Sequence, residues 1–340
     1  MSDFLRLTDD GLYCEAGDFF IDPWRPVHRA VITHAHADHA RPGHKAYLTS
    51  AEGERVLRLR LGPDAVIETV PYGQPITMNG VRVSLHPAGH ILGSAQIRIE
   101  HKGEVWVVTG DYKVQPDPTC APFELVKCHT LVTESTFGLP IYRWPDQQAV
   151  FAEINAWWRQ NAADGRASVI YGYVLGKAQR ILAGVDASIG PIFTHGAVER
   201  VNAVYRETGV ALPVTHYAGE VTDKKRYRGA LIVAPPSANG TPWLRKFGDV
   251  STAMASGWMQ IRGVRRRRAV DRGFVLSDHA DWDELMRTIA ATGAERVLLT
   301  HGYTASLARH LQERGLQADV LLTRFEGDSS DDAIEAEPTF

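Results

Sequence analysis

Between Thr33 and His39 the chain reads Thr-His-Ala-His-Ala-Asp-His, and no other stretch narrows its possible folds as much. Three histidines and an aspartate fall within six positions, directly behind the apolar run Ala30-Val31-Ile32. A short apolar run with β-branched members reads as a buried strand. The polar residues then occupy the loop at its end, where their side chains can turn toward a common centre. Imidazole and carboxylate donors together suit a divalent transition ion such as zinc or manganese. A lone His-x-His would read as an ordinary surface loop. The longer pattern behind a strand reads as a metal site.

Composition sets the frame for that site. The 340 residues exceed one typical domain, and 44% hydrophobic with 23% charged content is ordinary for a soluble globular protein. No apolar run reaches the ~18 residues that would cross a bilayer, so no membrane association is expected. Met1 to Arg6 lacks the charged-then-apolar pattern of a signal peptide. Cys14, Cys120 and Cys128 are odd in number and lack close metal-type spacing, as expected of reduced thiols in a cytoplasmic protein. The net charge of -3 hides an asymmetry, because six acids and no base follow Arg324. That tail, 326–340, reads as disordered and solvated. Basic residues gather at Lys224-Lys225-Arg226-Tyr227-Arg228 and between Arg262 and Arg268, where Arg265, Arg266, Arg267 and Arg268 run consecutively. Each cluster alone could be a solvated face; together with a metal centre they point to a polyanion.

Short β-type runs fill the first ~110 residues, with Asn79-Gly80 and Lys102-Gly103 as hairpin turns. Expected strands are Asp18–Ile21, Arg29–Ile32, Ala46–Thr49, Val81–His86, Ala95–Ile99 and Val105–Thr109. From about Asp146, helices and strands alternate, which predicts a second domain with a parallel sheet. Beyond Arg272 the first style returns, so the middle block reads as an insertion. The expected limits are 1–140 and 273–325 for the first domain, 141–272 for the insert and 326–340 for the tail.

Three more ligand-type residues follow predicted strands: His90 in Ala88-Gly-His-Ile91, Asp111 in Thr109-Gly-Asp-Tyr112, and His301 in Leu298-Leu-Thr-His-Gly302. With His34, His36, Asp38 and His39 they exceed the needs of one tetrahedral zinc. Two ions fit better. His34, His36 and His90 are assigned to one, Asp38, His39 and His301 to the other, with Asp111 bridging. Paired ions about 3.5–4 Å apart acidify a bridging water and clamp a phosphoryl oxygen. Hydrolysis of a phosphodiester is the reaction class that follows.

These residues resemble the metallo-β-lactamase superfamily and, within it, the β-CASP nucleases, the group that includes Artemis and Apollo. Glu134 in Glu134-Ser-Thr-Phe-Gly138, His279 in Ser277-Asp-His279 and His301 match the later motifs of that group in order. Asp22 in Phe20-Ile-Asp-Pro23 resembles its first acid, a support for the ligand loop. The resemblance implies an α/β fold, an αββα sandwich with an inserted β-CASP α/β domain. Gly11–Phe19, Ile21-Asp-Pro-Trp-Arg25 and Tyr173-Val-Leu-Gly-Lys-Ala-Gln179 are most similar to the bacterial ligase-associated DNA exonucleases. That likeness implies a DNA-repair exonuclease with zinc, or alternatively manganese, and a DNA ligase and helicase as functional neighbours. His301 is shared with RNA-directed members, which keeps a β-CASP ribonuclease as the alternative; a non-catalytic nucleic-acid-binding subunit is a second one. In this reading Asp38, Glu134 and His279 are catalytic, with Glu134 holding the His279 imidazole as a general acid. Lys177, behind Gly176 at a helix start, is expected to hold phosphate. Ser237, Lys224, Lys225 and Arg265–Arg268 are further expected nucleic-acid contacts.

Overall fold

The computed structural model describes residues 4–263 and 269–323, and the remaining positions, Arg265–Arg268 and the acidic tail among them, lie outside the described residues. The described chain forms two compact units, one built from Met1–Arg143 with His279–Phe340 and one from Trp144–Asp278. It is a mixed α/β protein with three sheets.

Six short strands form the first sheet in chain order: β1 (Leu5–Leu7), β2 (Leu12–Cys14), β3 (Phe19–Ile21), β4 (Ala30–Val31), β5 (Tyr47–Ser50) and β6 (Ile67–Val70). A 3-10 turn capped by Ser50 leads into helix α1 (Glu54–Leu61) between the last two. Hairpins then join β7 (Ile76–Met78), β8 (Val81–Pro87), β9 (Ala95–His101) and β10 (Glu104–Val108) in the second sheet. Strand β11 (Thr130–Ser135) continues that sheet parallel to β10.

The second unit alternates helix and strand. Helices α2 (Gln147–Ala163), α3 (Lys177–Gly184) and α4 (Gly196–Glu207) intersperse strands β12 (Ala167–Tyr171), β13 (Ile192–Thr194), β14 (His216–Tyr217), β15 (Leu231–Ala234), β16 (Val250–Ala255) and β17 (Arg272–Phe274). The strands pair in the order β14-β13-β15-β12-β16-β17, every pairing parallel. Helix-length crossovers between apolar strands leave little alternative. Gly273–Leu276 reads in sequence as the return to the first domain, at 273. Instead β17 hydrogen-bonds to β16 of this sheet, and the chain re-enters the first unit at His279. There α5 (Trp282–Thr292), β18 (Arg296–Gly302), α6 (Thr304–Glu313) and β19 (Gln317–Val320) complete the second sheet, whose order is β19-β18-β11-β10-β9-β8-β7.

Alternation along its inner strands builds the first unit. Trp106, Val108, Val132 and Leu298 point into a core shared with Leu12, Phe19, Ile21, Val31 and Leu48 of the first sheet. Their neighbours Val107, Leu131, Val297 and Leu299 point the other way, against Trp282 and Ile289 of α5 and Leu307 and Leu311 of α6. Strands covered on both faces must be apolar throughout, hence runs such as Val297-Leu-Leu299. Because β10, β11 and β18 are parallel, their C-terminal ends lie along one sheet edge. Polar residues that follow those ends are thereby brought together.

Helix α5 begins with a reciprocal cap: Glu284 N–H donates to Asp281 Oδ1 at 2.8 Å, and Asp281 N–H donates to Glu284 Oε2 at 3.1 Å. Burial raises the Glu284 carboxyl to about 7, against the opposing pull of that Asp281 N–H. The folded protein therefore holds this proton more tightly than the unfolded chain, whose carboxyl titrates near 4.5. The stability it contributes is complete below about pH 4.5 and is lost as pH rises through about 7. Glu284→Gln keeps an acceptor and cannot ionise. In urea unfolding across this range, the parent is expected to lose stability relative to Glu284→Gln; parallel pH profiles would refute the assignment.

Candidate metal centre

The His34–His39 loop leaves β4 and turns on itself, with His39 N–H and Ala40 N–H both donating to the His36 carbonyl at 3.2 and 2.8 Å. This turn collects the imidazoles. His36 Nδ1 lies 3.1 Å from His34 Nε2 and 3.1 Å from His90 Nε2. His90 follows β8, and Ser94 Oγ accepts from both His90 N–H and Ile91 N–H at 3.1 and 3.2 Å. Asp111 follows β10. Its Oδ2 is 3.5 Å from His34 Nε2, 3.9 Å from His90 Nε2 and 3.6 Å from His39 Nε2. Its Oδ1 is 2.6 Å from His301 Nε2 at the end of β18.

Two donor groups share that carboxylate: His34, His36, His90 and Asp111, and His39, Asp111 and His301. Within each, one atom per residue lies within 4.8 Å of every other. Asp38 adjoins the second group, its Oδ2 3.7 Å from His39 Nε2. A third group, Asp111, Glu134 and His279, stands beside them. Buried and half-buried imidazole and carboxylate donors in two groups that share Asp111 fit divalent ions of the zinc or manganese type.

Charge balance here follows from who neighbours whom. Burial, reinforced by His39, pushes His34 well below its ordinary range, with Asp111 opposing. Burial acts on His39 in the same direction, but Asp38, Asp111 and Asp22 outweigh it and carry His39 up to about 10. Burial would raise Asp111; His301 and then His39 reverse this and hold its carboxyl well below the usual range. His301 rises in turn, because Asp111 overcomes its desolvation.

Around the donors lies a layer of hydrogen bonds that orients them. Asp22 is 1% exposed and adopts φ +41°. Its carboxylate accepts from Thr33 N–H at 2.8 Å and Thr33 Oγ–H at 2.6 Å, and lies 2.8 Å from His39 Nδ1. Gly110, at φ +57°, brings the Asp111 loop so close to Thr33 that a Cβ would stand 2.7 Å from its side chain. Glu134, near the end of β11, accepts from Tyr112 N–H at 2.7 Å through Oε1. Its Oε2 lies 2.8 Å from His279 Nδ1. The His279 ring stands 4.8 Å from the His90 ring, next to the first donor group.

Other expected site residues stand elsewhere. Lys177 is 3% exposed, with its Nζ 2.7 Å from Asp278 Oδ2, and the Gly176 N–H donates to Gln179 Oε1 at 2.8 Å. The expected phosphate site gives way to a buried ion pair, which Arg180 shares at 3.1 Å from Asp278 Oδ1. Ser237 is exposed on the 3-10 turn Pro236–Ala238, and Lys224 and Lys225 are exposed on the 3-10 turn Lys224–Tyr227. Arg60 was not anticipated: its Nε donates to the Ala35 carbonyl, between two ligand-type histidines. Nothing in the helical pattern of Glu54–Leu61 marks it. Thr33 and Ser94 could have been suspected from position alone, as hydroxyl residues within the two ligand-bearing loops.

Comparison with known proteins adds two relatives and one structure. A "Probable DNA ligase" of Opitutus terrae is 34% identical over 311 residues, covering 91% of this chain and 30% of the relative. An "Endoribonuclease YSH1" of Gibberella zeae is 29% identical over 287 residues, covering 76% of this chain and 31% of the relative. The chain thus spans about a third of the length of each of these two relatives. A solved protein of unknown function from Enterococcus faecalis V583 shares the fold, with TM-score 0.61 at 14% identity over 88% of this chain and 80% of that one. No family model matches.

Asp22 offers a direct test of the orienting layer. Asp22→Ala strands two donors of Thr33 and frees the His39 ring. The expected loss is about 10–100-fold in zinc affinity, measured by competition with a chelating dye. Unchanged affinity in a folded variant would mean that the donors keep their geometry without it.

Proposed function

The chain belongs to the β-CASP metallo-β-lactamase family of nucleases, and from that premise we propose that it is a DNA exonuclease that hydrolyses phosphodiester bonds. In this reading the first unit is the αββα sandwich and the Trp144–Asp278 unit is the β-CASP domain. The observation that carries the proposal is the pairing of the shared donor groups at Asp111 with the adjacent Glu134–His279 couple. Bound to His34, His36, His90, Asp111, His39, His301 and Asp38, two zinc or manganese ions would supply Lewis acidity, acidifying a water and neutralising phosphate charge.

The chain's own residues account for the remainder. Asp111, kept ionised by His301 and His39, offers negative charge to both donor groups. Asp22 and Thr33 hold the ligand loop in place before substrate arrives. Glu134 accepts a hydrogen bond from His279 Nδ1–H, which stays on the ring and leaves Nε2–H as the proton to be given. His279 then gives an Nε2 proton to the leaving sugar oxygen as the phosphorus–oxygen bond breaks. A small-molecule hydrolase would have no evident use for this second couple.

DNA is preferred because a relative that aligns with 91% of this chain is named for DNA ligation, and a ligase is the corresponding functional neighbour. An RNA-processing role is the second reading. It is favoured by His301 and by the endoribonuclease relative.

Two measurements test the proposal. End-labelled DNA and RNA of matched sequence, each single- and double-stranded, should be degraded with preference for DNA; preferential RNA cleavage would overturn the substrate assignment, and cleavage by Asp111→Ala at the parent's rate would overturn the donor scheme. His279→Ala should lower kcat by about 10²–10⁴-fold on a nucleic-acid end. The loss should shrink on a thymidine phosphodiester with a nitrophenolate leaving group, which needs no proton. Equal losses on both substrates would give His279 a structural role instead.

A further inference from the structure

One face of the Trp144–Asp278 unit combines exposed cations with aromatic rings packed against the fold. Residues 216–246 carry six lysines and arginines against two acids, in a chain whose net charge is -3. Four of them lie within 224–228, and the fold brings the turn bearing Arg245 and Lys246 beside them. The 3-10 turns Lys224–Tyr227 and Pro242–Phe247 pack together, with the Tyr227 and Phe247 rings edge to face at 4.7 Å. One carbonyl ties both to the strand edge: Ala218 O accepts from Tyr227 Oη at 2.7 Å and from Lys246 Nζ at 3.2 Å. Lys224, Lys225 and Arg245 remain exposed around this knot.

Two aromatic residues flank the first turn of α4 beside those cations. Trp243 is half-buried, with its ring 5.1 Å from that of His195, the residue that caps α4, and Lys246 Nζ lies 4.7 Å from the Trp243 centroid. Tyr217, on edge strand β14, is 41% exposed. Its ring lies against Gly196 and Gly219, where a Cβ would approach to 3.0 and 2.2 Å. Both rings are therefore held by what lies behind them while keeping exposed surface. Ala218, next to Tyr217 in the chain, accepts from Lys246 Nζ, so the exposed tyrosine adjoins this cationic knot.

We propose that this face binds a single-stranded segment of nucleic acid, with phosphates on Lys224, Lys225 and Arg245 and bases against Tyr217 and Trp243. The inference rests on the nuclease reading above and adds where, and in what form, a strand is held. Cations close to aromatic rings match the alternating phosphate and base chemistry of an unpaired strand. A duplex keeps its bases stacked inside and could use the cations alone. An acidic peptide would likewise engage the charges and leave the rings idle.

The test uses the full-length, metal-loaded protein and a fluorescein-labelled phosphorothioate oligothymidylate of about 20 nucleotides, read by anisotropy over a salt series. Tyr217→Ala/Trp243→Ala should weaken binding of the single strand by about tenfold or more while leaving duplex binding unchanged. Tyr217→Phe/Trp243→Phe should restore it, which separates stacking from misfolding. Lys224→Glu/Lys225→Glu should weaken both forms and flatten the salt dependence by about 0.7 per cation removed. An oligouridylate arm tells whether the face distinguishes RNA from DNA. If the parent cleaves nucleic acid and both variant pairs bind the single strand as it does, this assignment fails and the nuclease reading stands. If polyglutamate competes as well as the oligonucleotide and the ring variants bind normally, the face takes polyanions generally and the strand assignment fails. A parent that neither binds nor cleaves nucleic acid overturns both.

Discussion

Asp111 is the point on which this structure turns. One buried carboxylate faces His34, His39 and His90 through Oδ2 and His301 through Oδ1. Taking it out of water costs several kcal/mol unless positive charge compensates, and the imidazoles themselves repel one another when protonated. The opposite responses of His34, pushed down, and His39, carried up to about 10, show that only some can hold a proton together. Such a constellation survives because its members hang from different strands of a stiff sheet pair. β4, β8, β10 and β18 each lead into or carry ligand-type residues, and all four contribute side chains to the core between the sheets.

That dependence on strands explains why so much of the centre was legible from sequence. Each ligand follows an apolar run, and the run announces both the strand and its end. His90, Asp111 and His301 lie 51 to 262 positions beyond His39, the last residue of the ligand-bearing loop, yet local pattern alone flagged them. The geometry adds the sharing: Asp111 belongs to both donor groups and to the third with Glu134 and His279. Burial of Asp22 at positive φ was not legible, because a supporting hydrogen bond leaves no periodic trace.

Where pattern failed, the determining partner was distant. Gly176-Lys177 has the local form of an anion site, but Asp278, about a hundred positions away, takes the ammonium into a buried pair. Arg60 meets Ala35 across a turn that helical spacing cannot reveal. Strand β17 resembles the first domain in composition and is claimed by β16 through parallel pairing. The edge strands β14 and β19 escaped for another reason: His216–Tyr217 and Gln317–Val320 are largely exposed, so no apolar alternation betrays them.

The orienting layer also bears on how ion binding relates to folding. In small zinc domains the ion supplies most of the folding energy, because few other contacts exist. Here the first unit has a two-sheet core with helices on its far face, and the ligand loops are pinned by protein groups. Asp22 grips Thr33, Ser94 gathers two backbone donors of the His90 loop, and Glu134 bridges Tyr112 N–H to His279. These contacts need no ion. The cost of ordering the donors is met largely by the fold, so ion binding stabilises the protein by mass action in proportion to ion concentration and affinity. Asp22 and Thr33 thus fix the backbone and ring that present the donors through hydrogen bonds within the chain itself.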